Sequence, residues 1–173
     1  MRCFQQVNSN NYILLFSFFS MLTEGQEAPD FVVHDTYGKN IRLSDFRGKC
    51  VILYFYPKDM TPGCTVEACS FNEDLKNFQM RNAVVLGVSL DDEQRHQQFT
   101  KKYNLSFPLL ADTDMKISKI YGVYGKKSFM GKSYMGIERT TFVINPRGVI
   151  IKVFKKVKPE GHTREILQAL DLL

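Results

Sequence analysis

The chain is short of histidine: three among 173 residues, at 34, 96 and 162, in no shared motif. Its four cysteines, Cys3, Cys50, Cys64 and Cys69, lack the paired Cys-x2-Cys spacing of a zinc site. That inventory supplies neither a structural metal centre nor a histidine-dependent nucleophile. No zinc-finger pattern and no Gly-Lys-Ser/Thr phosphate loop is present, and no internal repeat or low-complexity linker. The formal charge is +5, without an acidic excess. The lysines are spread along the chain, with one local cluster at Lys152, Lys155, Lys156 and Lys158. This basicity reads as a solvated surface, with no nucleic-acid partner.

Also absent is an apolar run of the roughly 20 residues needed to cross a bilayer. The apolar run at residues 12–22 has the length of a signal h-region, with Arg2 as a thin positive flank and Thr23-x-Gly25 as a cleavage candidate. Met21 stands directly before the stretch that opens the folded region. Residues 1–20 are therefore read as a start assigned too early or as a targeting or membrane-associated leader, and 21–173 as one domain without a membrane partner. Two cysteines without an assigned role, Cys3 and Cys50, speak against a secreted disulfide framework and for a reducing, cytoplasmic compartment. A genuine leader would redirect the chain to export or to an organelle.

What the chain does have is concentrated between Pro57 and Cys69. Val51–Tyr56 is a run of β-branched and aromatic residues that reads as a buried strand. Pro57 ends it, because proline cannot donate to a sheet ladder. Thr61-Pro62 is a helix-start signal, with threonine as N-cap and proline at the first helical position. Cys64 then falls in the first turn, among free backbone N–H groups and at the positive end of the helix dipole. Such a setting favours the nucleophilic thiolate. Cys69 lies five residues on. In an ideal helix that spacing means about 140° of rotation, about 7.5 Å of rise and Cα atoms roughly 8–9 Å apart. A disulfide needs about 7 Å or less, so the first turn must unwind before the two sulfurs meet. Gly63 and the neighbouring prolines make that turn easier to open.

Downstream, strands and helices alternate. Phe31–Val33 and Ile41–Leu43 flank a turn at 37–40 and read as a small hairpin, followed by one helical turn at 44–48. One helix is expected from Cys64 to about Met80, a buried strand at Ala83–Ser89, and a polar helix from Asp91 to Tyr103 with Phe99 and Tyr103 turned inward. A short strand at Phe107–Leu110 and a short helix at Met115–Tyr121 follow. The glycine-rich stretch from Gly122 to Gly136 reads as a mobile loop on a pocket rim. Thr141–Phe154 reads as a hairpin turning on Asn145-Pro-Arg-Gly148, and Thr163–Leu173 as a closing helix. This order makes a three-layer α/β fold with a mixed central sheet flanked by helices.

The pattern Pro57-x-x-x-Thr61-x-x-Cys64 resembles the peroxiredoxin signature, and the second cysteine at Cys69 resembles the peroxiredoxin Q group, also called bacterioferritin comigratory protein. Ala28-Pro-Asp-Phe31 and the late segment 126–145, in which Arg139 precedes a strand, extend the likeness over roughly residues 21–173. The resemblance implies a thioredoxin-like fold with an N-terminal β-hairpin and a thiol-dependent peroxidase that needs no metal or organic cofactor. It implies that Cys64 attacks a hydroperoxide and becomes a sulfenic acid. Cys69 would resolve it as a disulfide, and a thioredoxin-like dithiol would reduce the pair. Thr61 would offer its hydroxyl to thiolate and peroxide, Arg139 would stabilise the charge, and Pro57 would keep water off the sulfur. A monomer is the group's habit.

Other readings stay open for these residues. On the same fold the thiols could serve a thiol–disulfide oxidoreductase or a redox sensor. Arg139 could be a surface ion pair with Glu138. Glu67, one turn beyond Cys64, reads as a solvated carboxylate, and Lys58 and Asp59 as surface charges.

Overall fold

The computed structural model describes residues 20–129 and 131–172. The reading of residues 1–20 as a leader or early start falls, Ser20 apart, outside the described residues, as does Cys3. Strands β1 (Val32–His34) and β2 (Asn40–Arg42) pair antiparallel, with Val33 opposite Ile41, and a 3₁₀ turn at Leu43–Phe46 follows. Strand β3 (Cys50–Phe55) is buried along its whole length. That is why its sequence is continuously apolar instead of alternating: both faces of the strand are covered.

Helices α1 (Pro62–Glu73) and α2 (Leu75–Met80) lead from β3 to β4 (Ala83–Ser89). Helix α3 (Glu93–Tyr103) leads on to β5 (Leu109–Ala111). Helix α4 (Lys116–Ile120), the hairpin β6 (Tyr124–Phe129) and β7 (Lys132–Ile137), the strands β8 (Thr140–Ile144) and β9 (Ile150–Lys155), and helix α5 (His162–Leu170) complete the described chain. The central sheet has the order β5-β4-β3-β8-β9, parallel across β3–β4 and β4–β5 and antiparallel across β3–β8 and β8–β9. It is the mixed sheet flanked by helices that the resemblance implies.

Alternation along β3 divides the core in two. Val51, Leu53 and Phe55 join Ile117, Tyr121 and Phe142 on one face; Ile52, Tyr54 and Tyr56 join Cys64, Phe71 and Phe99 on the other. Both parallel crossovers step the same way along the sheet, so right-handed connections put their helices on one face. That face carries α1. Gly87 in β4 makes the close packing there feasible: a β-carbon at this position would lie 2.8 Å from Leu109 Cδ2 and from the Tyr54 ring. The ring instead lies against the strand and stacks on Phe71 of α1, with centroids 4.5 Å apart.

Two expectations need correction. The helix expected from 64 to 80 breaks at Asp74 (φ −87°, ψ 5°), after which α2 begins; the Asp74 carboxylate accepts from Asn77 Nδ2 at 2.9 Å. The Gly122–Gly136 stretch is not a loop but mostly the β6–β7 hairpin, in register from Tyr124 opposite Ile137 to Phe129 opposite Lys132. Its lysines and glycines show no apolar alternation because most of β7 is exposed, so backbone pairing carries the hairpin without a buried stripe to announce it. The C-terminal hairpin turns where expected: Asn145 Oδ1 accepts from the N–H groups of Arg147 and Val149, both at 3.0 Å.

Candidate functional site

Thr61 occupies the N-cap position of α1 with extended backbone (φ −82°, ψ 150°), and Pro62 opens the helix. The threonine hydroxyl does not cap the helix, however; it donates to Lys58 O at 3.0 Å. Its single proton is thereby committed to the loop, leaving the oxygen's lone pairs free. Pro57 is exposed just beyond the end of β3. Cys64 is 1% exposed, in the first turn of α1 and on its sheet-facing side.

Arg139 reaches this sulfur from the short connection between β7 and β8. Its backbone is fixed on both sides: Glu138 N donates to Val123 O at 2.8 Å, and Val157 N donates to Arg139 O at 3.1 Å. From there Nη2 lies 3.3 Å from Cys64 Sγ, while Nη1 donates to Glu67 Oε2. A β-carbon on Gly63 would touch Arg139 Nη2 at 3.4 Å and Pro159 Cγ at 3.6 Å, so the guanidinium and Pro159 crowd the helix start. Arg139 thus pairs with Glu67, not with Glu138.

Glu67 is the residue that sequence reading missed. It is 1% exposed, and burial drives its carboxyl from the ordinary 4.5 up to about 7, with Arg139 pulling the other way. Its second oxygen, Oε1, is buried without a hydrogen-bond partner, which is costly for a carboxylate and much less so for a neutral acid. A signal was available: Cys64, Glu67, Ala68 and Phe71 recur at helical spacing, which puts a carboxylate inside the stripe that must face the sheet. Asp59 is likewise buried, contrary to its reading as a surface charge, whereas Lys58 is exposed.

Glu67 makes folding pH-dependent with a definite sign. An acid whose folded value is raised binds its proton more tightly in the native state, so stability is greatest below the unfolded value and declines as pH rises toward the folded one. Between about pH 4.5 and 7 this group should remove about 3 kcal/mol of stability. Urea midpoints of the reduced protein across that window should fall with pH in wild type and stay nearly level in Glu67→Gln.

Cys69 sits half-buried on α1, and its thiol is pushed up by burial and then by the Glu73 carboxylate. It shares one unbroken helix with Cys64, so the two sulfurs remain apart in this state. Cys50 is buried and pushed up by burial alone, the behaviour of an inert core thiol. The histidines part company: His34 pairs with Glu93, His96 with Asp59, and His162 with Thr141 and Glu165. Among the described residues there is no metal-binding cluster of His, Cys, Asp and Glu, and no helix is long and apolar enough to cross a membrane.

The AhpC/TSA family matches residues 24–153. Peroxiredoxin Bcp of Bacillus subtilis is 47% identical over 84% of this chain and 93% of its own length; Peroxiredoxin Bcp of Escherichia coli is 42% identical over 86% and 96%. The chain belongs to the peroxiredoxins, in the peroxiredoxin Q (Bcp) group. Among solved structures, PrxQ of Xylella fastidiosa superposes with a TM-score of 0.84 at 35% identity, over 88% of this chain and 98% of that one. The bacterioferritin comigratory protein of Xanthomonas campestris gives 0.78 at 37% identity, over 82% and 90%. As a peroxiredoxin of thioredoxin-like fold, this protein is a thiol-dependent peroxidase, acting on a peroxide and recharged by a thiol reductant.

Proposed function

We propose that Cys64 is the peroxidatic nucleophile, Cys69 the resolving thiol, and Arg139 and Thr61 the groups that bind and polarise the peroxide. The observation that carries this reading is the guanidinium nitrogen 3.3 Å from a sulfur buried at a helix start. Cys64 thiolate attacks the terminal oxygen of hydrogen peroxide or an organic hydroperoxide. An S–O bond forms, the O–O bond breaks, and the departing alkoxide or hydroxide takes a proton and leaves as alcohol or water. Arg139 stabilises the charge that develops on the oxygens. With its proton on Lys58 O, Thr61 Oγ1 can accept the peroxide's O–H and orient the molecule for in-line attack. Pro57 borders the same loop and shields the sulfur from water.

Cys64 is now a sulfenic acid. The first turn of α1 opens, Cys69 attacks the Cys64 sulfur, the S–S bond forms, and the oxygen leaves as water. In leaving its half-buried position Cys69 also escapes the surroundings that keep its thiol protonated. A thioredoxin-like dithiol then reduces the disulfide by exchange, and its own pair becomes oxidised. An intramolecular disulfide needs no second subunit, which supports a monomer as the working form. Cys3 and Cys50, which take no part in this cycle, suit the reducing cytoplasm.

Stopped-flow reduction of hydrogen peroxide by the pre-reduced protein, with thiols counted afterwards, tests the cycle. Wild type should lose two thiols per peroxide. Cys69→Ser should attack at a rate within about twofold of wild type, since Cys69 makes no contact with the attacking sulfur. It should then accumulate one extra oxygen by mass and, with excess peroxide, further ones. Sustained turnover of Cys69→Ser with thioredoxin as sole reductant, at the wild-type rate, would end the resolving role. Attack by wild type no faster than a free thiol's would move the reading to disulfide exchange.

A further inference from the structure

One pair of buried ionisable groups beside the site has no part in the peroxidase chemistry. Asp59 is 0% exposed, and so is His96 from α3. Tyr56 O–H donates to Asp59 Oδ1 at 2.6 Å, and His96 Nδ1 donates to Asp59 Oδ2 at 2.8 Å. His96 Nε2 is buried with no partner among the described residues, so Asp59 is the imidazole's only hydrogen-bond partner among them. The Asp59 backbone is fastened as well. Its N–H donates to Asp91 Oδ2 at 2.8 Å, and its carbonyl faces Arg95 Nη2 at 3.4 Å. Asp91 is in turn held by Ser89 Oγ at 2.8 Å and Arg95 Nε at 3.0 Å. The neighbouring Met60 has φ 61°, a left-handed conformation that a non-glycine residue keeps only where its surroundings impose it.

We propose that the Asp59–His96 pair is a pin that positions the 57–61 loop for peroxide binding and forms the fixed side of the hinge about which α1 opens. The proposal rests on the reading of Cys64 and Cys69 given above. When Cys64 leaves for Cys69, the contacts that break are Arg139 to Cys64, Arg139 to Glu67, the packing of Gly63 under Pro159, and the first helical hydrogen bond, from Thr65 N to Thr61 O at 2.9 Å, which alone reaches the loop and only at its last residue. None of the pin's bonds involves residues 62–69. Unwinding therefore stops at Thr61, the peroxide-facing wall stays formed, and the turn has a fixed edge to refold against. Asp59 and His96 are positioning residues: they touch neither the sulfur nor the peroxide, and act through Thr61 and the helix start.

A loosened pin lowers the population of the closed, attack-competent state and leaves the open state as accessible as before. Rate constants for peroxide attack and for disulfide formation should therefore respond differently. Asp59→Ala leaves His96 with no hydrogen-bond partner among the described residues, and attack should slow about tenfold while disulfide formation holds or quickens. Less of the protein should then over-oxidise at high peroxide. The double variant Asp59→Ala/His96→Leu removes both polar groups together and should recover attack to within about threefold of wild type. Tyr56→Phe, which loses only the hydroxyl, should slow attack about threefold, and it serves if Asp59→Ala does not fold.

The two rate constants, the over-oxidised fraction and the melting temperature are to be measured on the same reduced proteins. Variants that melt lower but keep both rate constants and the over-oxidised fraction of wild type would overturn the pin and leave an ordinary structural pair. A double variant no better than Asp59→Ala would overturn the coupling. Wild-type protein whose Cys64 ignores peroxide would instead overturn the site reading itself, a result independent of every variant.

Discussion

Cys64→Ser is expected to abolish peroxide reduction, with a fall on the order of 10⁴-fold or more. The reasons are chemical and local. A serine hydroxyl stays protonated at neutral pH even beside a guanidinium, and its oxygen is a far poorer nucleophile toward an O–O bond than a thiolate sulfur. No other described thiol can take over: Cys50 is buried and pushed up by burial, and Cys69 is pushed up by burial and Glu73. The fold should survive. Serine is nearly isosteric, and its oxygen can accept the hydrogen bond that Arg139 Nη2 now directs at the sulfur. Stopped-flow peroxide consumption and a melting curve on the same preparation check both halves. A folded Cys64→Ser protein that still consumes peroxide and loses thiols would place the nucleophile elsewhere.

The second large effect is expected at Arg139. Arg139→Ala removes one preorganised donor from the reacting atoms, which costs about 10²–10³ in rate, or about 3–4 kcal/mol of barrier. It also strands Glu67, which is 1% exposed and has Arg139 as its charged partner. Breaking a buried ion pair commonly costs about 3–5 kcal/mol of stability. The loss here should be smaller, because a carboxyl already raised to about 7 with its partner present becomes neutral at little further cost once the partner is gone. Arg139→Ala/Glu67→Gln should therefore regain stability without regaining rate. Arg139→Lys should recover no more than about tenfold, since one ammonium cannot place two rigidly linked nitrogens on Glu67 and Cys64 together. Second-order rate constants with hydrogen peroxide and urea midpoints for the four proteins separate the two contributions. A full rate in Arg139→Ala would remove it from the site.

These expectations differ in how much of their basis can be read along the chain. The setting of Cys64 is local: strand, proline break, Thr-Pro helix start and cysteine in the first turn lie within fifteen residues, and each follows from a short-range rule. The i, i+5 spacing of the thiols is likewise a statement about one helix. The β6–β7 hairpin had no such signal, because an exposed hairpin is held by backbone bonds that any sequence can make. The break at Asp74 is a departure of one residue, at φ −87° and ψ 5°, between two stretches that both remain helical, so the apolar spacing runs through it.

By itself, then, the sequence determined most of the alternation of strands and helices, the buried strand before Pro57, and a cysteine in the first helical turn with a second one five residues on. Only the tertiary structure decided which charges surround that thiol. Arg139 arrives from 75 residues away because β8 pairs with β3 and brings the β7–β8 connection over the start of α1. Packing of α1 on the sheet buries Glu67, and the β4–β5 crossover lays α3 over Asp59. Whether a carboxylate sits in water or under a helix depends on what distant strands lay on top of it, and no window of neighbouring residues carries that information.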